Sequence, residues 1–217
     1  MFIPILLYIL FFLTGAWFIY KLPKGQVTLF LNRNRKPFLD YFFRYYTNLG
    51  DGISYIILAA TTVIFDYYSL YPILEIFILQ TILVQLLKRG FFKGAARPKR
   101  FFKMQGHKLN LVEGIKTYGY NTFPSGHTAT AFSLATQLII VLELQWLAFI
   151  PFVLALLIGT SRVYLLQHFF EDAYAGALIG VISVVSVLFY FQHVIPLEHY
   201  FPFEQYIKSF FSRIWVF

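Results

Sequence analysis

The sequence predicts an all-α fold: a polytopic membrane protein built as a six-transmembrane-helix bundle with interfacial amphipathic segments, one domain over residues 1–217. Three observations predict it. The chain is 59% hydrophobic and only 13% charged, against about 25% charged residues in soluble domains. Apolar stretches close to the roughly 20 residues that cross a bilayer recur along it. Aromatic residues are abundant, with 27 Phe, 16 Tyr and 3 Trp, which suits a surface at headgroup level. Cysteine is absent, so disulfides and thiolate metal sites are excluded, while the redox compartment stays open.

The first span is Phe2–Tyr20, which holds no charge. No Lys or Arg precedes it and no small-x-small cleavage site follows, so it reads as a retained span rather than a signal peptide. Residues 21–51 mix basic and aromatic groups, as in Asn32-Arg33-Asn34-Arg35-Lys36-Pro37-Phe38, and read as an amphipathic segment in the interface. The second span, Gly52–Tyr67, is short and holds Asp66 near its end. The third, Leu70–Leu87, carries Glu75, Gln80 and Gln85. Polar groups at that depth turn to the bundle interior, to satisfy neighbouring helices or to serve a site. The region 88–124 is the longest polar stretch. The fourth span, Ser125–Leu142, and the fifth, Trp146–Leu166, form a tight hairpin through Glu143-Leu144-Gln145, with a kink expected at Pro151. The sixth, Asp172–Gln192, is rich in small residues that let membrane helices approach closely. The tail, His193–Phe217, is aromatic with two basic residues and is expected on the interface.

Six spans put both termini on one side of the membrane. The loops 21–51 and 88–124, with the end of the fifth span, share the other side, so Arg97, His127, Arg162, His168 and Asp172 converge on one face. Charge follows the same split. Net charge is +8, with six Lys or Arg in 21–51, nine in 88–124, Arg162 alone, and Lys208 and Arg213 in the tail. These residues border apolar spans, so anionic lipid headgroups are the expected partners and nucleic acid is not.

The chemistry concentrates in three segments. In Ser161-Arg162-Val163-Tyr164-Leu165-Leu166-Gln167-His168-Phe169-Phe170-Glu171-Asp172, His168 and Asp172 are four apart, on one face if the segment is helical. A carboxylate there holds one imidazole nitrogen and leaves the other as base or nucleophile, and Arg162 suits a bidentate anion. In Tyr120-Asn121-Thr122-Phe123-Pro124-Ser125-Gly126-His127, Pro124 suits a first helical turn. The amides of Ser125, Gly126 and His127 then sit at a helix N-terminus, where anions bind. Gly126 lets a phosphate approach the backbone, and His127 is placed to protonate a leaving oxygen. The last segment is Lys88-Arg89-Gly90-Phe91-Phe92-Lys93-Gly94-Ala95-Ala96-Arg97-Pro98. Taken singly, His168 reads as a packed histidine, Arg162 as a snorkelling side chain, Asp172 as a helix cap and Pro124–His127 as a helix start. Together, in order and on one face, they read as a site. His107, His193 and His199 carry no role. Lys99-Arg100-Phe101-Phe102-Lys103 either covers a headgroup or anchors in the interface.

These segments resemble the type 2 phosphatidic acid phosphatase family of integral-membrane lipid phosphatases. That family carries Lys-six residues-Arg-Pro, then Pro-Ser-Gly-His, then Ser-Arg-five residues-His-three residues-Asp. The second motif matches Pro124-Ser125-Gly126-His127 and the third matches Ser161, Arg162, His168 and Asp172. The first departs: Arg97-Pro98 matches, but Gly90 stands seven before Arg97, with Lys88 nine before it. Lys88 takes the family role if the loop is two residues longer, and Arg89 or Lys93 are the substitutes. The resemblance implies a two-step reaction with no metal or cofactor. His168 attacks phosphorus and forms a phosphohistidine, Asp172 holds its tautomer, and His127 protonates the leaving group and then activates water. Lys88, Arg97, Arg162, the Ser125 hydroxyl and the Gly126 amide bind phosphoryl oxygens. Phosphoryl transfer is largely positioning plus electrostatic stabilisation, so three cations suit the role.

Two other classes compete. A vanadate-dependent haloperoxidase has a similar site, but six spans in a short chain argue against it. A non-catalytic scaffold for anionic lipids does not need both histidines and the aspartate. Within the phosphatase reading the substrate is phosphatidic acid, phosphatidylglycerol phosphate, undecaprenyl pyrophosphate or a lipid A phosphate. The expected location is a bacterial inner membrane. Positive-inside counting puts the active face in the cytoplasm, whereas the resemblance implies the periplasmic side, which is the expectation adopted. Access of an impermeant reagent to the 88–124 loop in intact cells separates the two.

Overall fold

A computed structural model describes residues 2–65, 70–141, 144 and 146–193. Nearly all of it is helical. The order is α1 (Phe2–Lys21), α2 (Gln26–Arg33), α3 (Pro37–Tyr46), a 3-10 turn (Thr47–Gly50), α4 (Ile53–Phe65), α5 (Leu70–Leu86) running into a π-helical turn (Leu87–Phe91), α6 (Pro98–Met104), α7 (Gly126–Val141), α8 (Phe149–Tyr164) and α9 (Phe170–His193). Among the described residues extended backbone pairs only at an isolated bridge, Ala96 with Tyr120.

Among the described residues three stretches are long and apolar enough to cross a membrane, Phe2–Lys21, Leu70–Phe91 and Phe170–Phe191, and α8 is a shorter apolar helix. α4 has 13 residues and α7 has 16. The end of the predicted second span, the ends of the Glu143–Gln145 connection and nearly all of the tail lie outside the described residues. The kink expected at Pro151 has no cause here. The helix begins at Phe149, later than predicted, so Pro151 sits in its first turn, where a missing N–H removes no intrahelical bond.

α7 is the central element and packs chiefly on α8 and α9. The close approach to α9 depends on Gly176 and Gly180, where a Cβ would overlap the carbonyl oxygens of Ser125 and Ala129. Polar side chains stitch the helices together. The Tyr55 and Ser133 hydroxyls meet at 2.6 Å, Ser133 donates to Gln80 Oε1 at 2.7 Å, and Gln137 Nε2 donates to Tyr55 at 2.7 Å. Gln80 is therefore a helix-to-helix contact linking α5 to α7. The outer faces are apolar. On α1 only Pro4 and Gly15 are buried, while Ile5, Ile9, Leu10, Leu13 and Trp17 are exposed. An apolar exterior around a polar-stitched interior is what a bilayer requires.

The predicted interfacial segment 21–51 forms two short helices and a turn. Asn32 ties α2 to the long loop by accepting the Asn110 amide at 3.0 Å and donating to its carbonyl at 2.7 Å. Arg35 pairs with Asp40, which also accepts the Tyr164 hydroxyl at 2.6 Å, docking α3 on the end of α8. The Lys99–Lys103 stretch is helix α6. Its Phe102 is 1% exposed and packs against Phe169, so that ring is core rather than an interfacial anchor.

Candidate active site

The site forms where the ends of α5 and α8 meet the starts of α7 and α9. Ser125 caps α7: its Oγ accepts the Thr128 hydroxyl at 2.9 Å and the Thr128 amide at 3.4 Å, as an N-cap serine does. Pro124 lies before the cap, joined to Phe123 by a cis bond, and not in the first helical turn as predicted. The Ser125 amide donates to the Asp172 carbonyl at 2.9 Å, so it is not free for an anion. The amides of Gly126 and His127 have no partner within the helix. A methyl on Gly126 would meet nothing nearer than Val84 Cγ1 at 3.7 Å, so packing does not demand glycine there; exposure of the backbone does.

His168 is not helical. It lies in the turn between α8 and α9, so turn geometry, and not a shared helical face, sets its distance to Asp172. The Arg162 carbonyl closes this turn by accepting the amides of Gln167 at 2.9 Å and His168 at 3.1 Å, which explains why the arginine and histidine keep fixed spacing. His168 and Asp172 are both 2% exposed. Nδ1 stands 3.6 Å from Asp172 Oδ2, longer than a hydrogen bond, and has no other hydrogen-bond partner. The same carboxylate oxygen accepts the Thr122 hydroxyl and the Phe169 amide at 2.8 Å. Asp172 is thus fixed by two donors before it meets the imidazole. Burial, with the Arg162 and Arg97 charges, pulls the His168 imidazole down to about 4 despite Asp172, so it is neutral at physiological pH.

The cations are held from several elements. Arg162 is 8% exposed. Its Nη1 donates to Thr47 Oγ1 at 2.7 Å, and its buried Nε has no hydrogen-bond partner. Arg97 donates through Nε to the Tyr120 carbonyl at 3.0 Å and through Nη1 to the Gln167 carbonyl and Oε1 at 2.9 and 3.1 Å. Lys88 sits in the π-helical turn, where its charge couples to Arg97, Arg162 and Asp172. A π turn accommodates one extra residue in a helix, which absorbs part of the longer spacing to Arg97. His127 Nε2 lies 2.6 Å from Asp51 Oδ1. A cavity of about 200 Å³ opens beside this pair, lined also by Gln80, Thr81 and Gln85 of α5.

All eight predicted site residues therefore sit at one end of the α5–α7–α8–α9 cluster, with Ser125 turned inward as a cap. Sequence reasoning missed four partners: Thr47, Asp51, Thr122 and Gln167. Thr122 and Gln167 lay inside the segments already singled out; Thr47 and Asp51 close the basic loop on the same face.

The PAP2 superfamily model matches residues 69–195, more than half of the chain. The chain belongs to the PAP2 superfamily. It is 30% identical over 176 residues to the lipid A 4'-phosphatase of Bacteroides thetaiotaomicron, covering 76% of this chain and 75% of that one. It is 34% identical over 96 residues to probable lipid phosphate phosphatase 4 of Arabidopsis thaliana. That match spans 38% of this chain and 31% of the longer plant protein. Among solved structures it is similar to Aquifex aeolicus LpxE, with a TM-score of 0.65 and 32% identity over 77% of this chain and 95% of that one. It is a PAP2 superfamily phosphatase of largely helical, membrane-spanning build.

Proposed function

We propose that the protein hydrolyses a phosphate monoester or pyrophosphate on a membrane lipid through a phosphohistidine on His168, as a six-span protein of one domain in a bacterial inner membrane with its active site on the periplasmic face. One observation carries the chemistry. A buried guanidinium N–H of Arg162 without a partner and a neutral, buried imidazole lie on one turn closed by the Arg162 carbonyl. An unpaired buried donor calls for an acceptor, and a phosphoryl oxygen beside a nucleophile supplies it.

In the first step His168 Nε2 attacks phosphorus while Asp172 faces Nδ1. The bond from phosphorus to the lipid oxygen breaks, and that oxygen takes the His127 proton. In the second step His127 accepts a proton from water, the oxygen attacks phosphorus, and the P–N bond breaks. Arg97, Arg162, Lys88 and the Gly126 amide receive the charge that moves onto the phosphoryl oxygens, with the Ser125 hydroxyl behind them as cap. Lys88 is the first-motif cation because its charge couples to the two arginines and Asp172. The variant Lys88→Met is expected to lower kcat/KM roughly 10²–10³-fold, while Arg89→Met and Lys93→Met leave it near wild type in the same phosphate-release assay.

Likeness to a lipid A 4'-phosphatase over three quarters of both chains supports a lipid A phosphate as the first substrate. Purified protein in detergent, given phosphatidic acid, phosphatidylglycerol phosphate, undecaprenyl pyrophosphate and lipid A in turn, is expected to release inorganic phosphate fastest from lipid A. Release from none of the four would end the lipid phosphatase reading, and preference for another lipid would end the lipid A assignment alone.

A further inference from the structure

The geometry points to a further positioning residue: we propose that Asp51 orients His127 and stabilises its protonated form for delivery of the proton to the departing lipid oxygen. This rests on the reading of His127 as the acid. Asp51 Oδ1 lies 2.6 Å from His127 Nε2, a short hydrogen-bond distance. Both side chains are partly open, at 47% and 29% exposure, and both line the cavity beside the site, where a departing alcohol has room.

The electrostatic need is plain. Besides Asp51, the titratable groups close enough to act electrostatically on His127 are Arg162 of α8, His168 of the following turn, Lys88 of the π turn and Arg97 of the long loop. Three are cations and the fourth, His168, is neutral, so a proton on His127 is opposed by the three cations. Asp51 is the carboxylate paired with His127 among the described residues, and it also acts on Arg162. The turn that carries Asp51 is built onto the site. Thr47 receives Arg162, and Gly50 rests on the first turn of α7, where a Cβ would stand 2.6 Å from Ile158 Cγ2 and 3.0 Å from the His127 carbonyl oxygen. One short turn thus holds both the arginine and the acid.

The step balances without a further reactant. The P–O bond breaks, its electron pair stays on the lipid oxygen, and that oxygen takes the proton from the His127 nitrogen not bonded to Asp51. His127 becomes neutral, and Asp51 keeps its charge and its hydrogen bond. Water returns a proton to the same nitrogen in the second step.

The test compares Asp51→Asn with the wild type on two probes: the most active lipid of the panel, whose leaving oxygen needs a proton, and p-nitrophenyl phosphate, whose leaving oxygen does not. The value of kcat/KM reports the first transfer only. It is expected to fall roughly 10–100-fold on the lipid, part of the 10²–10⁴-fold that a positioned acid supplies, and to change little on the aryl ester. Asp51→Glu restores part of the loss, and Gly50→Ala, which pushes the turn away, repeats the pattern. Equal losses on both probes would assign Asp51 a structural role and overturn the inference, as would wild-type kinetics. His127→Ala is the reference: an intact leaving-group dependence there with no effect of Asp51→Asn sinks the inference alone, whereas wild-type rates in His127→Ala sink the reading of the acid and the inference with it.

Discussion

Replacing His168 with asparagine is expected to lower kcat/KM on the best lipid roughly 10⁴–10⁶-fold, the loss that follows removal of a nucleophile whose partners act with it as a unit. Asparagine keeps a polar side chain in a site that is 2% exposed, so the helical bundle is expected to survive, as size-exclusion and circular dichroism would check. The remaining groups, Arg162 and Arg97, still bind phosphate, so inhibition by inorganic phosphate is read on the residual rate or by direct binding. The wild-type imidazole also has a pH signature. Burial first, then the neighbouring arginines, lower it from 6.5 to about 4. It is neutral and competent above that value, and in histidine-labelled NMR spectra its ring resonances should titrate near 4. The linkage has a definite sign. The unfolded chain takes up this proton first, so stability present above 6.5 is lost as pH falls from 6.5 towards 4. A ring that titrates near 6.5 would mean an imidazole exposed to water, against the burial described.

The second large effect belongs to Asp172. Its carboxylate accepts the Thr122 hydroxyl and the Phe169 amide and faces His168 Nδ1. Asp172→Asn replaces an acceptor with a group that presents an amide donor towards donors already in place. The negative charge that faces His168 Nδ1 is lost, and kcat is expected to fall about 10²–10⁴-fold. Stability falls as well, by about 1–3 kcal/mol for a buried donor left without a partner. Thr122→Val keeps the carboxylate and removes one of its donors, so its loss of rate should be clearly smaller. A Thr122→Val variant as impaired as Asp172→Asn would mean that the hydrogen-bond frame, and not the negative charge, is what His168 requires.

Much of the site was legible because its residues come in short segments with fixed spacing. Arg162 and His168 keep theirs because a single carbonyl closes the turn between them. A shared helical face was only a condition on that stretch, which lies between two spans and forms a turn; His168 Nδ1 still stands 3.6 Å from Asp172 Oδ2, since a turn and a helix both bring residues four apart together. Pro124 and the Ser125 amide were misplaced for a related reason. The helix starts one residue later than read, and the Asp172 carbonyl claims the amide that seemed free. The stretched first motif was legible as a gap but not as a solution, because a π turn leaves no periodic signature in five residues. Asp51 and Thr47 were missed because their roles come from tertiary packing through Gly50, which spacing along the chain does not encode. The membrane-spanning character followed from composition and apolar runs. Helix ends did not, since Pro151 and the short α4 depend on local starts that apolar runs alone leave open.

The most direct test of the central claim is to trap the covalent enzyme. Wild-type protein is mixed with substrate labelled in the reacting phosphate, quenched under alkaline conditions within the first turnover, and mapped by peptide. The prediction is alkali-stable, acid-labile phosphate on the peptide that holds His168, formed in a burst before free phosphate appears. Turnover with no labelled enzyme, or label on any residue other than His168, would contradict it.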